Sequence, residues 1–390
     1  MNDIRNPSPH AVYSCLDGMR GIAALLIVLR HTQELFGGLN FHQSYLAVDL
    51  FFALSGFVIA NAYERQLLGR MTARTFLSLR IARLYPLYGL GIVFALLVSL
   101  TDGASWISMA WHGVLSLLFL PNPNRDLIIA FPINIPTWSL FFEIVVNGIY
   151  VVLLGVLVGY RLILAMAAAL AVVAYYTLFK SDMSLDFGWS VKSLPYGLFR
   201  VFFSFYVGVL IYRMRDRLTV AVPGTARSNL LAWVLVAALA LILMANPPES
   251  AVAIYDLLAI TVAFPILVCL GISVQPSGTT RALFHFAGAV SYAIYILHEP
   301  LGKLYAKLYM LLSASPVAAA TPWLGLTFLP LLILGADLLD RFYDNPARAF
   351  AKRILLRPMP VEALGHGPSP APAVLPPTGD GTGMPRPNAE

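Results

Sequence analysis

A series of apolar blocks, each about 17–22 residues long, constrains this chain more than any other feature. A helix that rises about 1.5 Å per residue crosses about 30 Å of hydrocarbon in such a block. The composition agrees, because 58% of the residues are hydrophobic and only 12% are charged. Soluble domains average about 25% charged residues, so a soluble enzyme is a poor alternative. The sequence predicts an all-α, polytopic membrane helix bundle.

The apolar blocks predict about ten transmembrane helices. They lie at 21–37, 46–63, 84–101, 138–158, 161–179, 196–212, 229–245, 252–272, 283–299 and 321–340. Basic residues concentrate in alternate loops, which predicts that both termini are cytoplasmic. Four prolines interrupt 105–137. We therefore expect a helix followed by an irregular segment on the outer side there, because proline lacks an N–H donor.

The remaining regions predict a simple domain organisation. A cytoplasmic N-terminal segment covers 1–15, a membrane domain covers 16–345, and a cytoplasmic tail covers 346–390. The tail is rich in Pro, Gly and Ala, so we expect disorder from about residue 357.

The net charge of +6 reflects the basic loops, so we expect no nucleic-acid partner. Cys15 and Cys269 form no disulfide or zinc pattern, and we expect no metal.

Polar residues within the apolar blocks need a partner or a function, because a charge in hydrocarbon costs at least about 2.5–3.5 kcal/mol. The segment LDGMRGIAALLIVLRH (16–31) carries Asp17, Arg20, Arg30 and His31. Arg20 and His31 are eleven residues apart, about 16 Å along a helix and on nearly the same face. The alternative is a helix-flanking arginine and an interfacial histidine. The crowding of Arg30, His31 and Glu34 favours a functional site.

Two further segments carry charges close to the membrane. Asp49 opens the helix of SYLAVDLFFALSGFVI (44–59), where it either caps the helix or serves the site. Ser55 and Gly56 in the same segment are typical of close helix packing. Arg80 and Arg83 lie one turn apart, so that they can converge on one phosphate. Ordinary cytoplasmic flanking is the alternative for the arginines.

Another carboxylate lies about two turns into a membrane helix, Glu143 in IPTWSLFFEIVVNGIY (135–150). It is expensive there unless a cation such as His31, Arg30 or Arg200 neutralises it. His298 and Glu299 precede Pro300, which we expect to end the ninth span.

The predicted topology divides these polar residues between the two sides of the membrane. The outer half holds Asp49, Glu143, Arg200, His298, Glu299 and the group around His31, and the inner face holds Arg20, Arg80 and Arg83. This division suits an anionic donor that enters from the cytosol, with the chemistry deeper or on the far side.

Five ordered motifs resemble the acyltransferase type 3 family of membrane O-acyltransferases. They are Arg20 and His31 with ten residues between them, AVDLFFALSGFVI (47–59), RIARLYP (80–86), WSLFFE (138–143) and SYAIYILHEP (291–300). The resemblance covers roughly residues 15–342. It implies an enzyme whose acyl donor is usually acetyl-CoA or another acyl-CoA. The acceptor it implies is a hydroxyl on a glycan, a glycolipid or a small natural product.

The resemblance also implies roles for individual residues. His31 and Glu143 correspond to catalytic positions, and Arg20, Arg80 and Arg83, with Asp17, to donor-binding positions. Residues expected to contact substrate or to support the site are Asp49, Arg30, Ser139, Trp138, Tyr292 and His298. Arg30 departs from the family pattern, which has an apolar residue there.

Two mechanisms remain open at this point. His31, oriented by Glu143 or Asp49, acts as general base for the acceptor hydroxyl, a role worth about 10²–10⁴-fold. Alternatively, His31 carries the acyl group briefly as a nucleophile. Arg30 is a candidate to stabilise the thioester oxyanion.

Other functions also remain open. An acyl shuttle or transporter would pass the group across the membrane to a separate transferase. We expect a multi-pass protein of the cell inner (plasma) membrane, with the lipid bilayer and a hydroxyl acceptor as partners. The sequence leaves open whether the chain forms a homo-oligomer.

Overall fold

Long helices form at every predicted span. The computed structural model describes residues 13–101, 103, 105–124, 126–218 and 226–355. Its α-helices are α1 Ser14–His31, α2 Ala47–Gly69, α3 Ala73–Leu100, α4 Trp106–Leu117, α5 Thr137–Leu153, α6 Tyr160–Phe179, α7 Leu194–Leu218, α8 Ala226–Met244, α9 Glu249–Leu258, α10 Phe264–Ser273, α11 Gly278–Ser313, α12 Trp323–Leu339 and α13 Asn345–Leu355. Strand-like pairing in these described ranges includes an isolated bridge between Ile129 and Ser190.

Shorter helical turns link some of these helices. Two π-helical turns, Ala259–Ala263 and Asp340–Asp344, join α9 to α10 and α12 to α13. Three 3₁₀ turns lie at Gln33–Phe36, His42–Leu46 and Val317–Ala320. The all-α prediction is confirmed.

Seven helical stretches within the described residues are long and apolar enough to cross a membrane. They are His42–Gly69, Ala73–Leu100, Tyr160–Phe179, Leu194–Leu218, Ala226–Met244, Glu249–Ser273 and Trp323–Leu355. The other three predicted spans correspond to α1, α5 and α11. Helix α1 carries Asp17, Arg20 and Arg30, and α5 has only 17 residues. The count of ten and the cytoplasmic termini therefore stay predictions.

The surface of the bundle is apolar. Val152 is 74% exposed, Trp106 is 72% exposed and Leu241 is 70% exposed. Water-soluble monomers rarely expose apolar surface on this scale, whereas lipid covers it without cost. Together with the apolar helices, this surface identifies a membrane protein.

The ninth predicted span continues well past its expected end. We expected Pro300 to terminate it, but α11 runs on to Ser313. A proline inside a helix leaves the carbonyl four residues earlier without its usual donor. Asn134 Nδ2 donates to that carbonyl, Ile296 O, at 2.9 Å. The expectation was wrong because a side chain from the irregular segment replaces the missing backbone hydrogen bond.

The segment 105–137 has the predicted form, a helix followed by irregular chain. Helix α4 has 12 residues, too few to cross about 30 Å of hydrocarbon. The described residues between 118 and 136, which omit 125, are irregular except for turns and the bridge at Ile129.

A short helix follows the predicted end of the membrane domain, whose boundaries stay predictions. The predicted tail begins at residue 346, but α13 continues the chain helically and packs on α3. The expected disorder from about residue 357 lies outside the described residues.

Small residues bring the central helices into close contact. A Cβ on Gly56 of α2 would lie 1.9 Å from Phe205 O, and one on Gly208 of α7 would lie 1.9 Å from Ala53 O. A Cβ on Gly21 of α1 would similarly lie 2.5 Å from the Cβ of Ala287 on α11. Backbone approach through small residues is the usual way in which membrane helices associate. It holds α1, α2, α7 and α11 around the polar residues of the site.

Candidate active site

A cavity of about 220 Å³ lies between α1, α2, α3, α5 and α11. We call it the arginine cavity. Its polar lining is Arg20, Ser55, Arg80, Arg83, Ser139, Glu143, Ser291, Tyr292 and Tyr295. Arg80 and Arg83 both line this cavity together with Arg20, and their convergence on one phosphate stays a prediction. Guanidinium groups gathered in this way favour an anionic, phosphate-bearing ligand.

Glu143 belongs to the arginine cavity and not to the surroundings of His31. Its Oε1 accepts hydrogen bonds from Arg80 Nη2 at 2.7 Å and from Ser55 Oγ at 2.7 Å. Asn147 Nδ2 donates to the same oxygen at 3.2 Å. The prediction that a cation neutralises Glu143 is confirmed, but the expected partners His31, Arg30 and Arg200 were wrong. Glu143, which the predicted topology grouped with His31 in the outer half, therefore lies with Arg20, Arg80 and Arg83 instead.

The two other arginines of this cavity have looser partners. Arg20 Nη1 lies 3.6 Å from Asp17 Oδ1. Arg83 Nη1 lies 3.7 Å from Asp344 Oδ2, and its guanidinium stacks 5.6 Å from the Tyr292 ring centre. These separations exceed normal hydrogen-bond lengths. Arg20 and Arg83 are therefore not hydrogen-bonded to these carboxylates, and Arg80 Nε is also without a hydrogen-bond partner among the described residues.

Sequence reasoning missed the buried carboxylate that supports Arg83. Asp344 is fully buried and also pairs with Arg348, one turn later on α13. It follows a predicted span, where a carboxylate is unremarkable, so no signal in the sequence distinguished it. Tyr292 was predicted as a support residue; its hydroxyl donates to Leu84 O at 2.6 Å.

A second cavity, of about 330 Å³, lies at the other end of α1. We call it the histidine cavity. Its polar and aromatic lining includes Arg30, His31, Gln33, Asn40, Tyr45, Trp138, Asp186, Trp189, Arg200 and Tyr295. Val48 and Tyr295 line both cavities. One face of α1 therefore presents Arg20 to the first cavity and His31 to the second, as their spacing predicts.

His31 is paired with another histidine. Its Nδ1 lies 2.8 Å from His298 Nε2, and the two ring planes are inclined by 22° with centres 5.0 Å apart. The His298 ring is fully buried, and its Nδ1 lies 3.2 Å from Ile294 O. The expectation that Glu143 or Asp49 orients His31 was wrong, because their carboxylates bond to Arg80 and Arg200.

Arg30 also points into the histidine cavity. Its Nη2 lies 2.5 Å from Asp186 Oδ2, its Nη1 donates to His42 O at 3.0 Å, and the Tyr45 ring centre is 5.1 Å away. Asp186 was missed, since it is one carboxylate in the loop between α6 and α7. The ion pair neutralises Arg30 and holds it at the edge of the cavity.

Asp49 and Arg200 form the most deeply buried ion pair in the described part of the chain. Both side chains are 1% exposed, and Arg200 Nη2 lies 2.6 Å from Asp49 Oδ2. Ser204 Oγ donates to Asp49 at 2.9 Å, and Arg200 donates to Phe187 O at 2.7 Å. Asp49 makes no capping hydrogen bond to its helix, so the capping interpretation was wrong. The predicted support residue Trp138 places its ring 5.8 Å from the Arg200 guanidinium.

Hydrogen bonds fix the wall between the two cavities. Ser139 Oγ and Tyr295 Oη are 2.7 Å apart, and Tyr295 donates to Pro136 O at 3.1 Å. Beyond them, Glu299 accepts from Ile135 N at 3.0 Å and from Lys303 Nζ at 2.7 Å. Tyr295, which lines both cavities, is therefore held in place between them. Among the described residues no group of three or more His, Cys, Asp or Glu could hold a metal ion.

An apolar helix bundle with clustered arginines at one cavity and a histidine pair at the next suits a membrane-embedded group-transfer enzyme. The family model described as acyltransferase domain matches residues 13–341. The chain belongs to this acyltransferase type 3 family and is an acyltransferase.

The chain is similar to a bacterial protein over part of its length. A protein of Rhizobium radiobacter named "Protein 2 in picA locus" is 45% identical over 159 residues, which are 37% of this chain and 83% of that protein. No solved structure matches the chain.

Proposed function

We propose that this membrane acyltransferase moves an acyl group, acetyl first among the candidates, from acyl-CoA to a hydroxyl of a cell-surface glycan, glycolipid or related acceptor. The observation that carries the proposal is the meeting of two chemically different cavities at Val48 and Tyr295. One is lined by arginines suited to phosphates, and the other by a histidine suited to proton transfer.

The arginine cavity is the proposed donor site. Arg20 and Arg83 would bind the phosphates of CoA through charge-assisted hydrogen bonds. Arg80, already bonded to Glu143 at 2.7 Å, would add positive charge, and Glu143 would set its orientation. In this assignment Glu143 is a positioning residue of the donor site, and Asp17 does the same for Arg20.

The histidine cavity is the proposed site of chemistry. His31 takes the proton of the acceptor hydroxyl while the hydroxyl oxygen attacks the thioester carbonyl carbon. The C–S bond then breaks, the CoA thiolate receives the proton from His31, and an ester and free CoA are the products. Arg30, held by Asp186, lines the same cavity and would stabilise the oxyanion that forms.

The sides of the membrane follow from the predicted topology. It places Arg20, Arg80 and Arg83 towards the cytosol and His31 towards the outer face of the inner membrane. The acyl-pantetheine arm would then pass Tyr295, and the rest of CoA would stay on the cytosolic side. Acceptor hydroxyls of surface glycans or lipid-linked sugars would approach from outside.

Radiolabelled acetyl-CoA supplied to the purified full-length protein in lipid nanodiscs tests the proposal. Acceptors would be glycolipid and polysaccharide fractions from cells that lack the protein. We expect acceptor-dependent release of free CoA and label in the acceptor as an ester that mild base removes. Absence of acceptor-dependent release with acetyl-CoA and with longer acyl-CoAs would overturn it. Transfer that requires a second, separate protein would support the acyl shuttle.

A further inference from the structure

We infer that His298 is a positioning residue that fixes the tautomer of His31, so that the Nε2 of His31 is the basic nitrogen offered to the acceptor. This inference rests on the proposed function for its chemical consequence. The assignment of the proton to one nitrogen of each ring does not depend on that function, because it follows from two hydrogen bonds.

The first hydrogen bond fixes the proton of His298. Its Nδ1 lies 3.2 Å from Ile294 O. A carbonyl oxygen can only accept a hydrogen bond, so Nδ1 carries the proton. The ring is fully buried, and an unpaired charge buried at that depth is very costly. The neighbouring Glu299 already accepts from Lys303 and Ile135 N. His298 is therefore neutral, and its Nε2 has a free lone pair.

The second hydrogen bond determines which nitrogen of His31 carries the proton. Its Nδ1 lies 2.8 Å from His298 Nε2. Because His298 Nε2 accepts, His31 Nδ1 must donate, and a neutral His31 then has its lone pair on Nε2. Within the described part of the chain, Nε2 of His31 has no hydrogen-bond partner, and the residue is exposed at the histidine cavity.

The pairing has a direct chemical consequence. In the other tautomer His31 would present an N–H to the acceptor hydroxyl and could not take its proton. With the observed pairing, the hydroxyl proton moves to Nε2, the new C–O bond forms, the C–S bond breaks, and Nε2 returns the proton to the thiolate. His298 accepts from Nδ1 throughout, so the positive charge that His31 gains in this step is also stabilised.

Two substitutions at His298 separate positioning from bulk structure. In His298→Gln the amide oxygen reaches about the place of Nε2 and can still accept from His31. In His298→Asn the shorter side chain leaves that place empty. We expect His298→Asn to lower kcat about 10- to 100-fold, less than the 10²–10⁴-fold expected for loss of a general base. His298→Gln should keep most of kcat, and KM for acyl-CoA should stay unchanged in both.

The matched control is His112→Gln on α4. His112 contacts Ser108 and is absent from the described lining of both cavities, so its kcat should equal that of the wild type. Equal loss of kcat in His298→Gln and His298→Asn, with thermal unfolding unchanged, would overturn the positioning role. A loss confined to KM would do the same.

An independent readout needs no activity. ¹⁵N chemical shifts of histidine-labelled protein, with His31 assigned by comparison with His31→Gln, should show a protonated Nδ1 and an unprotonated Nε2 in the wild type. The opposite tautomer would overturn the inference. If the wild type failed to transfer acyl groups, the proposed function alone would fail, and this spectrum would still decide the tautomer.

Discussion

The arginine cavity and the histidine cavity share a wall but differ in how closely their arginines are paired. In the arginine cavity, Arg20 and Arg83 lie 3.6 Å and 3.7 Å from their nearest carboxylates, beyond normal hydrogen-bond length. In the histidine cavity, Arg30 and Arg200 contact theirs at 2.5 Å and 2.6 Å. The arginine cavity thus has two loosely paired arginines beside the close Arg80–Glu143 pair at 2.7 Å, whereas both arginines of the histidine cavity are closely paired.

This difference suggests a division of labour. A phosphate ligand gains most from arginines that are not yet fully paired. Proton transfer by a neutral imidazole is favoured when nearby cations are balanced, because unbalanced positive charge disfavours protonation of the ring. Residues of the arginine cavity should therefore control donor binding, and residues of the histidine cavity the rate of the chemical step.

The largest effect is expected for His31→Gln. Removing the proposed base should lower kcat about 10²–10⁴-fold, while KM for acyl-CoA stays near the wild-type value. Steady-state release of CoA at varied donor concentration separates the two constants. Unchanged kcat would refute the assigned role, and a rise in KM alone would remove the contrast between the cavities.

The buried ion pair between Asp49 and Arg200 should contribute most to the free energy of unfolding. Arg200→Met leaves Asp49 charged and unpaired in the bundle, which costs about 3–5 kcal/mol of unfolding free energy. Thermal or denaturant unfolding in detergent measures it. The double variant Asp49→Leu, Arg200→Met restores charge balance and should be less destabilised than the sum of the two single variants. Simple additivity would show that the two side chains are not coupled.

Arg83→Leu should act on the donor. Losing charge-assisted hydrogen bonds to phosphate costs about 1.5–3 kcal/mol, roughly 10- to 150-fold in donor affinity. Asp344 keeps Arg348 as its partner, so the fold should survive. Arg83→Lys retains the charge but not the planar guanidinium, so its donor affinity should lie between those of the wild type and Arg83→Leu. Equilibrium binding of acyl-CoA is the measurement, and an unchanged Kd would contradict the donor-site assignment.

The smallest effect is expected for the close contact between α2 and α7 at Gly56. Gly56→Ala would place a Cβ against the α7 backbone and should destabilise the bundle by about 1–3 kcal/mol. Gly148→Ala is the matched control, because a Cβ there meets no atom within 4 Å. Unfolding temperatures of the two variants compare them directly. Equal temperatures would show that α2 and α7 do not depend on this contact.

The sequence alone determined the class of fold and pointed to several of the residues that line the two cavities. Apolar blocks of spanning length predict membrane helices because hydrocarbon thickness and helix rise are fixed quantities. Helical periodicity likewise placed Arg20 and His31 on one face of α1, and a one-turn spacing brought Arg80 and Arg83 to one cavity. Such local geometry is readable because it depends only on separation along the chain.

Only the tertiary structure decided which charges pair. Glu143 could satisfy itself with any nearby cation, and helix packing selected Arg80 over His31. The same packing brought His298 of α11 to His31, Asp186 of a loop to Arg30, and Asn134 to the carbonyl that Pro300 leaves free. These partners are 156 or more residues apart along the chain. Burial demands that each polar group find a partner, but only the three-dimensional arrangement of the helices determines which one lies within reach.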